Sequence, residues 1–212
     1  MEKIKSNLQN MMLVLTGAAL ICGGLLAYIN NLTKPTIDAQ AEKTLNEGIS
    51  AVLGGNAGNK LGEETKTRTV DGKEQTFVVY KMENGTAVQS TDPNAFGGNL
   101  KVLVGFDAEG NILGYTVLEH AETPGLGAKA GEWFQKDQPG CIVGINPGKT
   151  NMTVSKDGGD IDAITASTIT SRAFLRAVQQ AYNTFNEKSD ATTGATTQQR
   201  ADNAGGLNTQ EQ

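Results

Sequence analysis

Apolar residues run from Met11 to Ile29 without a charge, then recur every fourth position, and alternate with polar ones only further along the chain. Each regime predicts a different element. The first run is about 19 residues, close to the ~20 that a helix needs to cross a bilayer core. A cleaved signal peptide has an apolar stretch of only ~7–15 residues and a small-x-small site after it. The run here is longer and no such site follows, so residues 11–29 read as an uncleaved transmembrane anchor. Lys3 and Lys5 precede the span and Lys34 is the nearest base after it. That bias places residues 1–10 as a cytoplasmic tail and the rest on the outer face. Gly17, Gly23 and Gly24 would let another membrane helix approach closely.

After Pro35, the residues Ile37, Ala41, Leu45 and Ile49, joined by Val52 and Leu53, form one helical stripe that Gly54-Gly55 stops. This is a juxtamembrane helix of about four turns. Residues 56–73 are Gly-rich and charged and read as a loop or a weak edge. Alternation then marks two hairpins. Thr76–Met82 and Thr86–Ser90 flank Asn84-Gly85, a strong turn pair, and Leu100–Phe106 and Ile112–Leu118 flank Asp107–Gly110. A short helical stretch at Gly131–Gln135 offers Trp133 and Phe134 as core anchors. Met152–Ser155 and Ile161–Ile164 read as another strand pair around Asp157–Asp160. A helix over Thr168–Glu187 carries Ile169, Ala173, Ala177, Val178, Ala181 and Phe185 on one face, able to cover a sheet. Residues 188–212 have almost nothing to bury and read as a disordered tail, leaving 35–187 as one exported α+β domain.

Composition narrows the chemistry. The net charge of −5, with no basic run, argues against nucleic acid as a partner. Cys22 lies in the apolar run and Cys141 in the polar part, so no intradomain disulfide or CxxC metal knuckle is available. A single histidine excludes a multi-His metal site, and redox chemistry would fall to an organic cofactor. No catalytic triad or metal site is expected.

Two stretches concentrate candidate residues. Asp162–Ser171 holds Thr165, Ser167, Thr168, Thr170 and Ser171 where a strand gives way to a helix. Simple N-capping accounts for one such hydroxyl. Alternatively, the free amides and positive dipole of the helix start form a phosphate site. This stretch resembles the flavinylation motif of the FMN-binding domain family, D-x-x-S/T-G-A-T-x-T/S, whose last threonine but one is esterified to the FMN phosphate. Asp162, Thr165, Thr168 and Thr170 match in register, while Ala166 and Ser167 stand where Gly and Ala are usual. The resemblance implies covalent FMN on Thr168, with Thr165, Ser167 and Thr170 around it.

The second stretch, His120–Lys129, includes Glu122, Thr123, Pro124, Gly125, Leu126 and Gly127. On its own it is an ordinary strand-to-helix loop. It resembles the ETPGLG segment of the G subunit of Rnf electron-transport complexes and of the C subunit of sodium-translocating NADH:quinone oxidoreductases, and His120 leans toward the Rnf type. Its glycines would let backbone approach a planar ring, with Leu126 on the ring face. Lys129 and Lys156 are candidate phosphate contacts. The tail also spells Asp190–Thr197, a closer letter match to the motif around Thr196. No apolar face or strand supports a pocket there, so Thr168 is favoured, and modification of both is left open.

The resemblance implies an α+β fold with a bent antiparallel sheet flanked by helices. It also implies a flavoprotein of electron transport, a membrane-bound translocase component relaying electrons between ferredoxin and NAD+ while Na+ or H+ moves. Its implied partners are the other membrane subunits, membrane lipid, and an exported FMN transferase that modifies the chain. Three alternatives stay open: a C subunit-like component of a quinone-linked complex, a free-standing exported FMN carrier, and a non-redox anchored binding module.

Overall fold

The computed structural model describes residues 8–70 and 72–204, without the side chains of 8, 9, 38, 73 and 188–204. Contacts divide the chain into two units, Met1–Leu45 and Asn46–Gln212. Helix α1, Leu8–Val52, runs without interruption through both stretches that the sequence predicts as separate helices. Pro35 lies inside it. Proline removes one i→i−4 bond, yet the amides on either side still pair along the helix. In the first unit every large apolar side chain from Met11 to Leu32 that the structure describes as exposed is 48–76% accessible. An 18-residue window of Asn10–Val52 has mean hydropathy 2.2, so this helix is long and apolar enough to cross a membrane.

The second unit is α+β. Strands β1 (Lys60–Val70), β2 (Lys73–Met82), β3 (Gly85–Ala95), β4 (Gly98–Phe106) and β5 (Ile112–Glu119) pair in chain order as an antiparallel meander. The two hairpins expected from alternation are both present. Residues 56–73, left between loop and edge, include the full edge strand β1. Its alternation of exposed and half-buried residues is written in Thr, Lys and Glu, so hydrophobic periodicity does not reveal it. Charged side chains on an edge also discourage pairing with other chains.

The sheet is covered on both faces. Helix α3, Thr168–Ala204, lays Ala173, Phe174, Ala177, Val178 and Ala181 against Val79, Val88, Val102, Val104 and Phe106. Phe174 stacks on Phe134 at 4.3 Å and meets Tyr115 edge-on at 4.8 Å. The Tyr115 hydroxyl donates to Ala130 O at 2.8 Å and accepts from Phe134 N at 3.1 Å. It therefore ties the short helix α2 (Ala130–Trp133) to β5. Burial pushes this phenol well above its usual range, and the hydrogen bond donated by Phe134 N offsets part of that rise.

On the opposite face sit the last turns of α1, with Ile49, Val52 and Leu53 buried. A Cβ at Gly48 would lie 3.2 Å from Thr116 and 3.3 Å from Leu103. One at Gly105 would collide with the Val52 carbonyl, so β4 needs glycine where the helix end crosses it.

Three expectations change. The strand pair at 152–155 and 161–164 is reduced to one parallel bridge, Val154↔Ile161. The intervening Asn151–Asp162 segment spends its backbone groups on its own turns instead, including Gly159 N to Val154 O at 3.2 Å. Helix α3 continues to Ala204, past the Glu187 end that the apolar periodicity predicts. Ile169, assigned to its core face, is 49% exposed, because it borders an open cleft while Thr170 and Ser171 of the same turn are buried.

Candidate functional site

The polypeptide reaches α3 through a tight turn, Thr165-Ala166-Ser167. Ser167 N donates to Ile164 O at 3.0 Å, and Ala166 adopts φ +61°. Left-handed backbone favours glycine, and this is the position where the flavinylation motif usually carries one. Ser171 locks the turn from inside. Its hydroxyl donates to Ser167 O at 3.0 Å and accepts from Ile164 N at 2.9 Å.

Helix starts leave their first amides without intrahelical acceptors. Among the described residues no hydroxyl of this cluster accepts from the amides of Thr168, Ile169 or Thr170. Simple capping, the structural explanation for such a sequence, is not what these side chains do. Ser171 is used by the turn, the Thr170 hydroxyl donates to Glu122 Oε2 at 2.7 Å, and Thr165 points to solvent. The Thr168 hydroxyl has no protein partner among the described residues, and its side chain is half-buried at the mouth of a cleft.

That cleft, about 310 Å³, is bounded by Phe96, Glu122, Thr123, Leu126, Gly127 and the turn 166–170. Its volume is at the low end of ordinary ligand sites. Three apolar side chains remain largely open to solvent around it: Phe96 at 68%, Leu126 at 42% and Ile169 at 49%. The polar end is the uncapped helix start. Together these offer a positive dipole end for an anion and apolar surface for a planar ring.

The sequence-predicted residues divide cleanly. Thr168, Ser167, Thr170, Glu122, Thr123, Leu126 and Gly127 meet at the cleft. Thr165, Gly125, Lys129 and Lys156 do not line it. Thr196 falls on the continuation of α3, where side chains lie outside the described residues. Phe96 and Ile169 escaped sequence reading as site residues. Phe96 occupies the two-residue tip between Ala95 and Gly98, and an aromatic flanked by glycine at a hairpin tip was the available signal.

Residues 96–183 match the family model described as FMN-binding domain, and residues 5–52 match the one described as RnfG N-terminal region. A Salmonella typhi protein, named as the G subunit of an ion-translocating oxidoreductase complex, is 36% identical over 170 residues, covering 74% of this chain and 81% of that protein. The Shewanella piezotolerans protein of the same name is 35% identical over 182 residues, covering 80% and 85%. The Vibrio vulnificus one is 35% identical over 178 residues, covering 78% and 84%.

Proposed function

The chain belongs to the family of G subunits of ion-translocating oxidoreductase complexes, and we propose that it is the complex's covalent-FMN electron carrier, anchored in the membrane by α1. One observation carries the covalent reading. A half-buried threonine hydroxyl without a protein partner among the described residues stands on an uncapped helix start, at the edge of an apolar-rimmed cleft, inside the FMN-binding match.

The residues fit the group. Thr168 would hold the phosphate as an ester, the amides of the first turn would face its remaining oxygens, and Phe96, Leu126 and Ile169 would shield the ring from water. An ester carries one negative charge fewer than a free monoester, so a dipole end without a lysine suffices. When bound, FMN supplies reversible electron transfer at a ring that the phosphate linkage leaves chemically unaltered. The chain itself positions that ring and excludes solvent.

Attachment uses FAD and a separate exported transferase. Thr168 would supply the hydroxyl oxygen for the new P–O bond as the pyrophosphate bond breaks, with AMP as the leaving group and the hydroxyl proton taken up by the transferase. The lysine bias around the span supports a cytoplasmic N-terminus, with the second unit on the outer face against lipid headgroups and the other subunits. In that setting the chain relays electrons in a complex coupling ferredoxin and NAD+ to Na+ or H+ movement. The match of residues 5–52 favours this G-type role over a quinone-linked C subunit or an independent carrier.

Intact mass and peptide mapping test the assignment on the full chain co-expressed with a flavin transferase. Thr168→Val should abolish the FMN adduct and Thr196→Val should retain it. An adduct lost only in the second variant would move the site to the tail.

A further inference from the structure

Glu122 is 7% exposed, borders the cleft, and has no basic side chain paired with it among the described residues. Both its oxygens are nevertheless engaged. Oε1 accepts from the Gly97 amide at 3.0 Å, and Oε2 accepts from the Thr170 hydroxyl at 2.7 Å. Its own amide donates to His120 Nδ1 at 3.2 Å. One side chain thus joins three segments: the β3–β4 tip bearing Phe96, the loop from His120 to Gly127, and the first turn of α3. Gly127 makes room for it, since a Cβ there would run into Glu122 Oε2 and the Thr170 hydroxyl.

A buried carboxylate is costly to keep unless its lone pairs are satisfied, and two neutral donors satisfy them without cancelling the charge. Low surrounding polarity then lets that charge act over a longer distance than it would in water. We propose that Glu122 is a positioning residue for the flavin: a buried carboxylate without a counter-cation that latches the Phe96 hairpin to the start of α3 and sets a fixed negative charge beside the cleft. Adding electrons to a ring held there is opposed by that charge, which lowers its reduction potential. The proposal rests on the FMN reading above.

The test compares wild type, Glu122→Gln, Glu122→Ala and Thr170→Val as full chains in detergent after co-expression with a flavin transferase. Bound FMN is read by intact mass, midpoint potential by spectroelectrochemical titration, and the latch by hydrogen exchange at the Gly97 amide. Glutamine can still accept from Gly97 and can donate to Thr170, but carries no charge. Glu122→Gln should load FMN, keep Gly97 protected, and shift the reduction equilibrium on the order of tenfold toward the reduced form. Glu122→Ala should speed Gly97 exchange, and Thr170→Val should do so less.

An unchanged potential in a loaded Glu122→Gln protein overturns the proposal. So does unchanged Gly97 exchange in Glu122→Ala or, should that variant not fold, in Thr170→Val. A Glu122→Gln chain that stays protected but takes up no FMN also overturns it, because the charge would then govern attachment. Wild type without FMN would refute the cofactor reading and leave the exchange measurement to judge the latch alone.

Discussion

Thr168, Ser167 and Thr170 are neighbours in sequence, yet the fold gives them different work. Thr170 is bound to Glu122, Ser167 lends its carbonyl to Ser171, and Thr168 keeps a hydroxyl uncommitted among the described residues at the cleft. Ala166 shows a cost at the same scale. Its φ of +61° places a Cβ in left-handed backbone, a conformation that L-residues other than glycine adopt at a penalty. Ala166→Gly should therefore raise unfolding stability by about 0.5–1 kcal/mol, glycine's extra chain entropy offsetting part of the relief. Urea denaturation of the detergent-solubilised chain checks this, and an unchanged or lower midpoint would contradict it.

Among elements, the segment from Asn151 to Asp162 is held to α3 by an ion pair rather than by a strand ladder. Arg172 Nε meets Asp157 Oδ2 at 2.6 Å, and its second nitrogen meets Oδ1 at 2.7 Å. The hydrogen bonds from Arg172 are the main reason the Asp157 carboxyl sits below its usual range. A carboxyl with a depressed folded-state pKa contributes stability that is present above its unfolded value and lost as pH falls through the folded one. Acidification through and below the ordinary carboxylate range should loosen this segment. Arg172→Gln should already be loose at neutral pH and lose the acid-dependent step. Amide exchange at 155–159 reads both. The pair is exposed, so the effect on overall stability is small and salt-sensitive.

For the whole molecule, the division at Leu45/Asn46 separates an apolar helix from a unit with its own core. The last turns of α1 belong to that second unit and cover the sheet face opposite α3. A chain beginning at Asn46 should fold and stay soluble. One beginning at Gly54 lacks Ile49, Val52 and Leu53 and leaves the sheet face at Leu103, Gly105 and Gly114 uncovered. It should aggregate or unfold at markedly lower denaturant, since three buried apolar side chains at ~1.5–3 kcal/mol each amount to a large part of the ~5–15 kcal/mol margin of a domain. Size-exclusion chromatography and circular dichroism distinguish the two, and equal behaviour would refute a structural role for residues 46–53.

What the sequence by itself determined is whatever local periodicity and residue chemistry can express. The membrane run at 11–29, both hairpins between β2 and β5, the α3 core face from Ala173 to Ala181, and the hydroxyl-rich helix start were all legible. Each is a pattern within a few residues. Edge strand β1 was ambiguous because exposed strands need no apolar alternation, and the 152–164 pair was misjudged because its apolar residues serve turns that pack on the core. Only the tertiary structure decided that Glu122, Gly97 and Thr170 share one buried contact and that Phe96 and Ile169 face the cleft. It alone also showed that Lys129 and Lys156 do not line that cleft. These are distances between segments tens of residues apart, fixed by sheet register and by which face each helix covers, and no local pattern carries them.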